Sequence, residues 1–368
     1  MLKLAVYITG HGLGHLTRTL EVCRILTRKH PEVELHLRAP FQPELIRQAL
    51  GSDPASLAPI RLDLGLVQVD SLRTDLAATI RELDHFFGPK GNRQVEEEAE
   101  WLAGAGIHAA LMDIPPRAFE ACALAGVPAY GMTNFSWDWI WGDLAEENPR
   151  FQQFAECAAG SYSNCRRLFR TVMACDLSAF PIIEDVPLVS RNSPLDPGDV
   201  RSRLSIPAGK PVVLLSYGGT GLKDITLPPP SLHERYTVVA TEPMPDPGAD
   251  FMYLPNKRVQ DAGLRYCDLV KAADIVMTKP GYSTVAECAG NHTALVYTDR
   301  GRFAEYPAVR QFIHDYLPHV YLPQQEVIRG NWGSALDALS AMIPFKFKSL
   351  RTDGAEVVAD RLFEEIQR

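Results

Sequence analysis

The sequence predicts an α/β protein with two parallel sheets, each covered by helices. Three observations point there. Short apolar runs alternate with helix-like segments, the alternation occurs twice, and a proline-rich polar stretch separates the two rounds. A chain of 368 residues has room for about two domains of roughly 150 residues.

In the first half, Leu2–Thr9, Val33–Arg38, His108–Met112 and Ala129–Met132 read as strands. Thr17–Arg28 places Leu20, Cys23 and Leu26 on one helical face. Arg93–Ala103 and Ala118–Ala125 read as further helices. In the second half, Pro211–Ser216, Tyr236–Ala240, Ile275–Met277 and Thr293–Tyr297 repeat the strand pattern. These segments divide the chain into a first domain at 1–185, a linker at 186–210 and a second domain at 211–348. Pro187, Pro194, Pro197 and Pro207 mark the linker. The closing segment, 349–368, contains a helix at Gly354–Ile366 that can pack on either domain. Two such domains make a cleft, and open parallel sheets bind ligands beyond their strand C-termini.

Composition narrows the function. Hydrophobic residues make up 46% of the chain, enough for two cores, and 37 basic against 45 acidic residues give a net charge of −8. A general nucleic-acid binder needs a basic stripe, and none is present. The seven cysteines form no C-x-x-C pair, as in a reducing compartment with structural thiols. No apolar run is long enough to span a membrane, and Met1–Ile8 is too short for a signal peptide. The expectation is a cytoplasmic protein.

Two glycine-rich turns carry the chemistry. The first, Ile8-Thr9-Gly10-His11-Gly12-Leu13-Gly14-His15, leads from a strand into a helix. Glycines there let a ligand approach the backbone, helix-start amides favour negative charge, and histidine suits proton transfer near neutrality. The spacing Gly10-x-Gly12-x-Gly14 misses the dinucleotide fingerprint. The second runs from Met277 through Lys279-Pro280-Gly281-Tyr282-Ser283-Thr284 to Glu287. A strand ends at Met277 and a helix begins near Thr284, so Lys279, the hydroxyls of Ser283 and Thr284 and the helix dipole suit a diphosphate. Thr284 to Glu287 is also a capping box, which explains both residues by helix stability alone. A further turn, Ser216-Tyr217-Gly218-Gly219-Thr220-Gly221, ends the first strand of the second half.

The segments Tyr7–Arg18, Leu62–Asp70, Thr133–Trp139, Lys279–Glu287 and Phe303–Pro307 resemble the glycosyltransferase-like N-terminal segment of L-arabinokinases. The 368 residues leave no length for the sugar-kinase domain of those proteins, so kinase activity is not expected. More distantly, the layout is similar to nucleotide-sugar glycosyltransferases of the GT-B fold, including plant small-molecule glucosyltransferases and the transferase that completes lipid II. That resemblance implies two Rossmann-like domains facing across a cleft. The first would bind the acceptor and the second the nucleotide-sugar donor, with the last helix returned to the first domain. It further implies His15 as general base and Asp113 as its orienting partner. Ser283 and Thr284 would contact the diphosphate, Glu287 the ribose and Glu305 the donor sugar. In the plant motif histidine and cysteine precede the glycine, whereas Lys279 and Pro280 precede Gly281 here. Tyr306 follows Glu305 where glutamine is usual.

The chemistry agrees with those roles. A sugar hydroxyl becomes a nucleophile when a base takes its proton, which is worth about 10²–10⁴ in rate. The leaving diphosphate needs positive charge, which Lys279 and a helix terminus supply. No Asp-x-Asp occurs, so a metal-independent reaction is expected, with no cofactor beyond the nucleoside-diphosphate sugar, UDP first. A retaining Glu-x₇-Glu pair ending at Glu287 would require glutamate at Lys279, so inversion is expected. The donor set is Gly218, Gly219, Thr220, Lys279, Gly281, Ser283, Thr284, Glu287 and Glu305. The acceptor or cleft set is His11, Gly12, Gly14, Arg18, Asn134 and Trp137. Trp137 and its aromatic neighbours have two readings, an acceptor platform or core. His11 holds substrate or merely occupies the turn, and Arg18 faces the donor or solvent. No metal site is expected. The acceptor is a small molecule, a glycan or a lipid-linked species. A GT-B epimerase and a non-catalytic nucleotide-sugar sensor are the alternatives to a transferase.

Overall fold

A computed structural model describes residues 1–67, 74–217, 226–242, 251–299 and 303–367. It divides into two compact units. The first takes 1–67, 74–189 and 351–367 of the described chain, and the second takes 190–350.

The sheet of the first unit contains β1 (Leu2–Ile8), β2 (Val33–Arg38), β3 (Ser56–Ala58) and β4 (Ala109–Asp113). It is completed by β5 (Ala129–Thr133), β6 (Arg167–Arg170) and β7 (Ile183–Asp185). All pairs are parallel and the order is β3-β2-β1-β4-β5-β6-β7. The interior strand β1 is apolar and buried from Leu4 to Ile8, as a strand covered on both faces should be. The helix Leu13–Lys29 lies on it with Leu16, Leu20, Cys23 and Leu26 fully buried. It starts four residues before the expected Thr17, because Gly12 serves as its N-cap and takes the His15 turn into the helix.

The second unit repeats the plan with β8 (Val212–Ser216), β9 (Thr237–Ala240), β10 (Phe251–Tyr253), β11 (Ile275–Thr278), β12 (Ala294–Tyr297) and β13 (His319–Tyr321). The order is β10-β9-β8-β11-β12-β13, again all parallel. Val213, Leu215, Val238, Ile275, Met277 and Val296 build its core with Trp332 and Leu336.

Three features that bear on the sequence expectations have physical causes. Part of the expected linker is ordered: Pro197–Leu204 is a helix with Pro197 in its first turn, capped by the Asp196 carboxylate. Arg201 fastens it to the Ala272 carbonyl and to Asp274, so Pro197 marks a helix start. The helix Gly354–Gln367 packs on Leu13–Lys29 of the first unit, burying Ala355, Val358, Ala359 and Leu362. It begins on glycine because a Cβ at Gly354 would collide with the Pro187 and Leu188 carbonyls. Finally, β3, β6, β7, β10 and β13 have only three or four residues each and were not anticipated.

Candidate active site

In the first unit the chain runs from β1 outward to β3 on one side, then returns to β4 and continues to β7 on the other. The connections after β1 and β4 therefore diverge, and the C-terminal ends of these two strands form the crevice where open α/β sheets hold ligands. The Thr9 amide donates to the Asp113 carbonyl at 2.8 Å and ties the two ends together.

His15 and Asp113 meet at this point. His15 Nδ1 lies 2.8 Å from Asp113 Oδ1. Arg18, one turn along the same helix, donates from Nε to Oδ2 and from Nη2 to Oδ1, each at 2.7 Å. The Thr19 hydroxyl donates to Oδ2 at 2.9 Å. Arg18 Nη1 donates to Asn134 Oδ1 at 2.7 Å, just beyond β5. Asp113 has no exposed surface. Burial alone would raise its carboxyl, but the Arg18 charge, His15 and their hydrogen bonds outweigh burial and hold it far below the usual carboxylate range. An ionised carboxylate can only accept, so in the neutral ring His15 Nδ1 carries the hydrogen and Nε2 the lone pair. Arg18 Nη2 and His15 Nδ1, 3.0 Å apart, are thus two donors converging on one oxygen. Among the described residues Nε2 has no hydrogen-bond partner, and 10% of the side chain is exposed.

The other histidine of the turn is held differently. The His11 amide donates to Thr9 Oγ1 at 3.2 Å, and its half-buried ring stands edge-on to Trp137 with centroids 5.0 Å apart. Gly65 lies against it: a Cβ there would come within 2.5 Å of His11 Nδ1. Asp63, two residues earlier, accepts from Trp137 Nε1 at 3.1 Å and from the Thr9 hydroxyl. Its burial pushes the carboxyl up, more than these hydrogen bonds pull it down.

Several expected positions shift in meaning. Arg18 is neither solvated nor loose, since 3% of it is exposed and its guanidinium is committed to Asp113 and Asn134. Asn134 and Trp137 are fully buried, so they support the site from beneath and do not present a surface to an acceptor. The aromatic group Phe135, Trp137 and Trp141 is core, with Trp137 and Trp141 stacked at 5.7 Å. Gly12 and Gly14, the N-cap and a first-turn residue of the helix, retain partial exposure.

In the second unit the strand order reverses between β8 and β11. The loop after β8 contains Gly218, Gly219 and Thr220, which lie outside the described residues. After β11, Lys279 is half-buried and the helix Tyr282–Asn291 follows, with Gly281 as N-cap. Thr284 sits inside the first turn and caps nothing, so the capping-box reading of Thr284 and Glu287 fails. Glu287 is 4% exposed and is gripped by Arg191, whose Nε donates to Oε1 at 2.5 Å. Ser283 and Thr284 keep partial exposure on the same turn. Glu305 is the buried N-cap residue of the helix Tyr306–Tyr316. The buried hydroxyls of Tyr217, just after β8, and Thr298, just after β12, have no hydrogen-bond partner among the described residues.

No family model matches the sequence. L-arabinokinase from Arabidopsis thaliana is 30% identical over 370 residues, covering 99% of this chain and 34% of that protein. The chain thus spans about a third of the length of the curated relative it matches. Among solved structures, the spinosyn forosaminyltransferase SpnP superposes with a TM-score of 0.61 at 10% identity, covering 100% of both chains. Medicago truncatula UGT71G1, complexed with UDP-glucose, gives 0.58 at 11% identity, covering 100% of this chain and 98% of that one. The chain has the GT-B fold.

Within the GT-B frame, the two switch points gather most of the described residues singled out in the sequence. His11, Gly12, Gly14, His15, Arg18 and Asp113 meet at one, and Lys279, Gly281, Ser283, Thr284 and Glu287 gather at the other. Asp63, Thr19, Arg191 and Thr298 were not anticipated. Asp63 lay within a quoted motif as a bystander, and nothing local marks Arg191, which stands 96 residues from Glu287.

Proposed function

We propose that the protein transfers a sugar from a nucleoside-diphosphate donor, UDP first, to an acceptor hydroxyl, with inversion and without a metal. The observation that carries this is the His15–Asp113 pair at the switch point of the first unit, with Nδ1 2.8 Å from the buried carboxylate and Nε2 without a hydrogen-bond partner among the described residues. Nε2 takes the acceptor proton as the hydroxyl attacks the anomeric carbon. Asp113 fixes the ring and stabilises the imidazolium that forms, the division of labour of a hydrolase triad. Gly12 and Gly14 let the acceptor approach the turn, and His11 contacts it from the same loop.

The donor is assigned to the second unit. Lys279 and the first turn of Tyr282–Asn291, with Gly281, Ser283 and Thr284, hold the diphosphate and stabilise it as leaving group. Glu287 accepts from the ribose hydroxyls, Glu305 reads the sugar, and the Gly218-Gly219-Thr220 loop belongs to the same assignment. The UDP-glucose complex of UGT71G1 supports a nucleotide sugar as co-substrate. The absence of Asp-x-Asp from the sequence supports metal independence, and Lys279 in place of a glutamate supports inversion. Burial pushes Cys23 and Cys267 up to about 12, which suits structural thiols in the cytoplasm. The acceptor class, whether small molecule, glycan or lipid-linked, is left to a screen.

The test is His15→Ala assayed with UDP-sugars and an acceptor panel. Turnover should fall by about 10²–10⁴ with donor affinity unchanged. Turnover equal to wild type would remove His15 from the base role. Donor consumption with no acceptor present would favour an epimerase, and donor binding without turnover a sensor.

A further inference from the structure

The His15–Asp113 pair carries a third member that the reaction itself does not call for. Arg18 lies on the same helix and touches both carboxylate oxygens, as well as Asn134 beyond β5. It is buried to 3% exposure. A guanidinium so placed does not reach toward a substrate, because its fork is already occupied on the inner side of the imidazole. Its work is electrostatic. Asp113 is sealed from water, and an isolated carboxylate there would take up a proton.

We propose that Arg18 is a positioning residue that sets the tautomer of His15. With Arg18 present, Asp113 is an anion that only accepts, and the imidazole must place its hydrogen on Nδ1 and its lone pair on Nε2. Remove the guanidinium charge and Asp113 takes one proton from solvent, so the buried pair is again neutral. The carboxylic acid then donates its O–H to Nδ1, the imidazole hydrogen moves to Nε2, and the nitrogen that must accept the acceptor's proton becomes a donor. Thr19 cannot prevent this, since its hydroxyl supplies a hydrogen bond to Oδ2 without a charge. The inference rests on His15 acting as the base, but the tautomer itself is readable without any turnover.

The experiment uses the full chain labelled with ¹⁵N-histidine, with the His15 signals assigned by difference from His15→Gln. In the wild type, the nitrogen shifts and ring couplings should report Nδ1–H. Arg18→Met should switch the ring to Nε2–H and reduce kcat by about 10²–10⁴, the worth of a positioned base, with the thermal shift from UDP unchanged. Arg18→Lys restores a cation without the fork, and should keep Nδ1–H and part of the turnover. A folded Arg18→Met protein that retains Nδ1–H overturns the proposal. If Arg18→Met does not fold, Arg18→Lys decides, and a switch to Nε2–H in that variant overturns the proposal equally. Wild-type Nδ1–H with no transferase activity would leave the tautomer assignment standing and sink the functional reading alone.

Discussion

Asp63 and Asp113 are both buried beside the His15 turn, yet their surroundings push them in opposite directions. Asp113 is drawn down by Arg18 despite its burial, and Asp63 is pushed up because hydrogen bonds from Thr9 and Trp137 do not offset burial. A depressed carboxyl contributes stability that is present above the unfolded value of about 4 and is lost as pH falls toward the folded one. A raised carboxyl contributes stability that is full below about 4 and is lost as pH rises through its folded value. Asp63→Asn should therefore gain on the wild type as pH rises above about 4 through the folded value of Asp63, whereas Asp113→Asn should trail the wild type by a constant margin above about 4 and close that gap as pH falls below it. Urea midpoints at several pH values check both signs, and parallel curves for all three proteins would contradict them. The glycine-rich turn that carries His15 was legible as a strand-to-helix junction, but its pairing with Asp113 came only from the resemblance, which implied an aspartate at that strand end. The destination of Arg18 was not legible, since 95 residues separate it from Asp113 and only the pairing of β1 with β4 brings them together.

The helix Tyr282–Asn291 illustrates how one sequence signature supports two structures. Thr284 and Glu287 have capping-box spacing, but the helix begins at Tyr282 and Gly281 takes the N-cap. Thr284→Ala should then change stability by less than about 0.5 kcal/mol, as for a partly exposed residue outside any cap. Glu287→Ala should cost about 3–5 kcal/mol, because the largely buried Arg191 would lose this ion-pair partner. It should also weaken nucleotide binding. Chemical melts of both variants separate the two residues, and a large loss for Thr284→Ala would restore the capping box. The long, regular elements were readable from periodicity, as the buried face of Leu13–Lys29 shows. Strands such as Arg167–Arg170 and Ile183–Asp185 were not, because three or four half-exposed residues carry no period and exist only through pairing with a neighbour.

Each unit is held by its own core, and the terminal helix belongs to the first. Leu362 is fully buried there, Lys29 reaches Asp360 at 2.7 Å, and His30 stacks on Phe363 at 3.4 Å. Leu362→Ala should cost about 2–5 kcal/mol. Calorimetry should assign that loss to the first unit and leave nucleotide-induced stabilisation of the second intact. A nucleotide at about 100 times its dissociation constant should add about 2.7 kcal/mol to the unit that binds it. A shift from UDP that tracks the first unit would contradict the donor assignment. The twofold α/β plan was visible in the repeated alternation of runs, whereas the ordered stretch at 197–204 was hidden by prolines that also begin helices. The return of residues 351–367 also sets a timetable for biosynthesis. A ribosome finishes β1 to β7 early, but the helix that covers Leu13–Lys29 is translated only after everything up to residue 350. The unit translated second is therefore the first able to finish folding. The one translated first waits for residues 351–367, and a stop codon shortly after Leu350 would leave it without the helix that covers Leu13–Lys29.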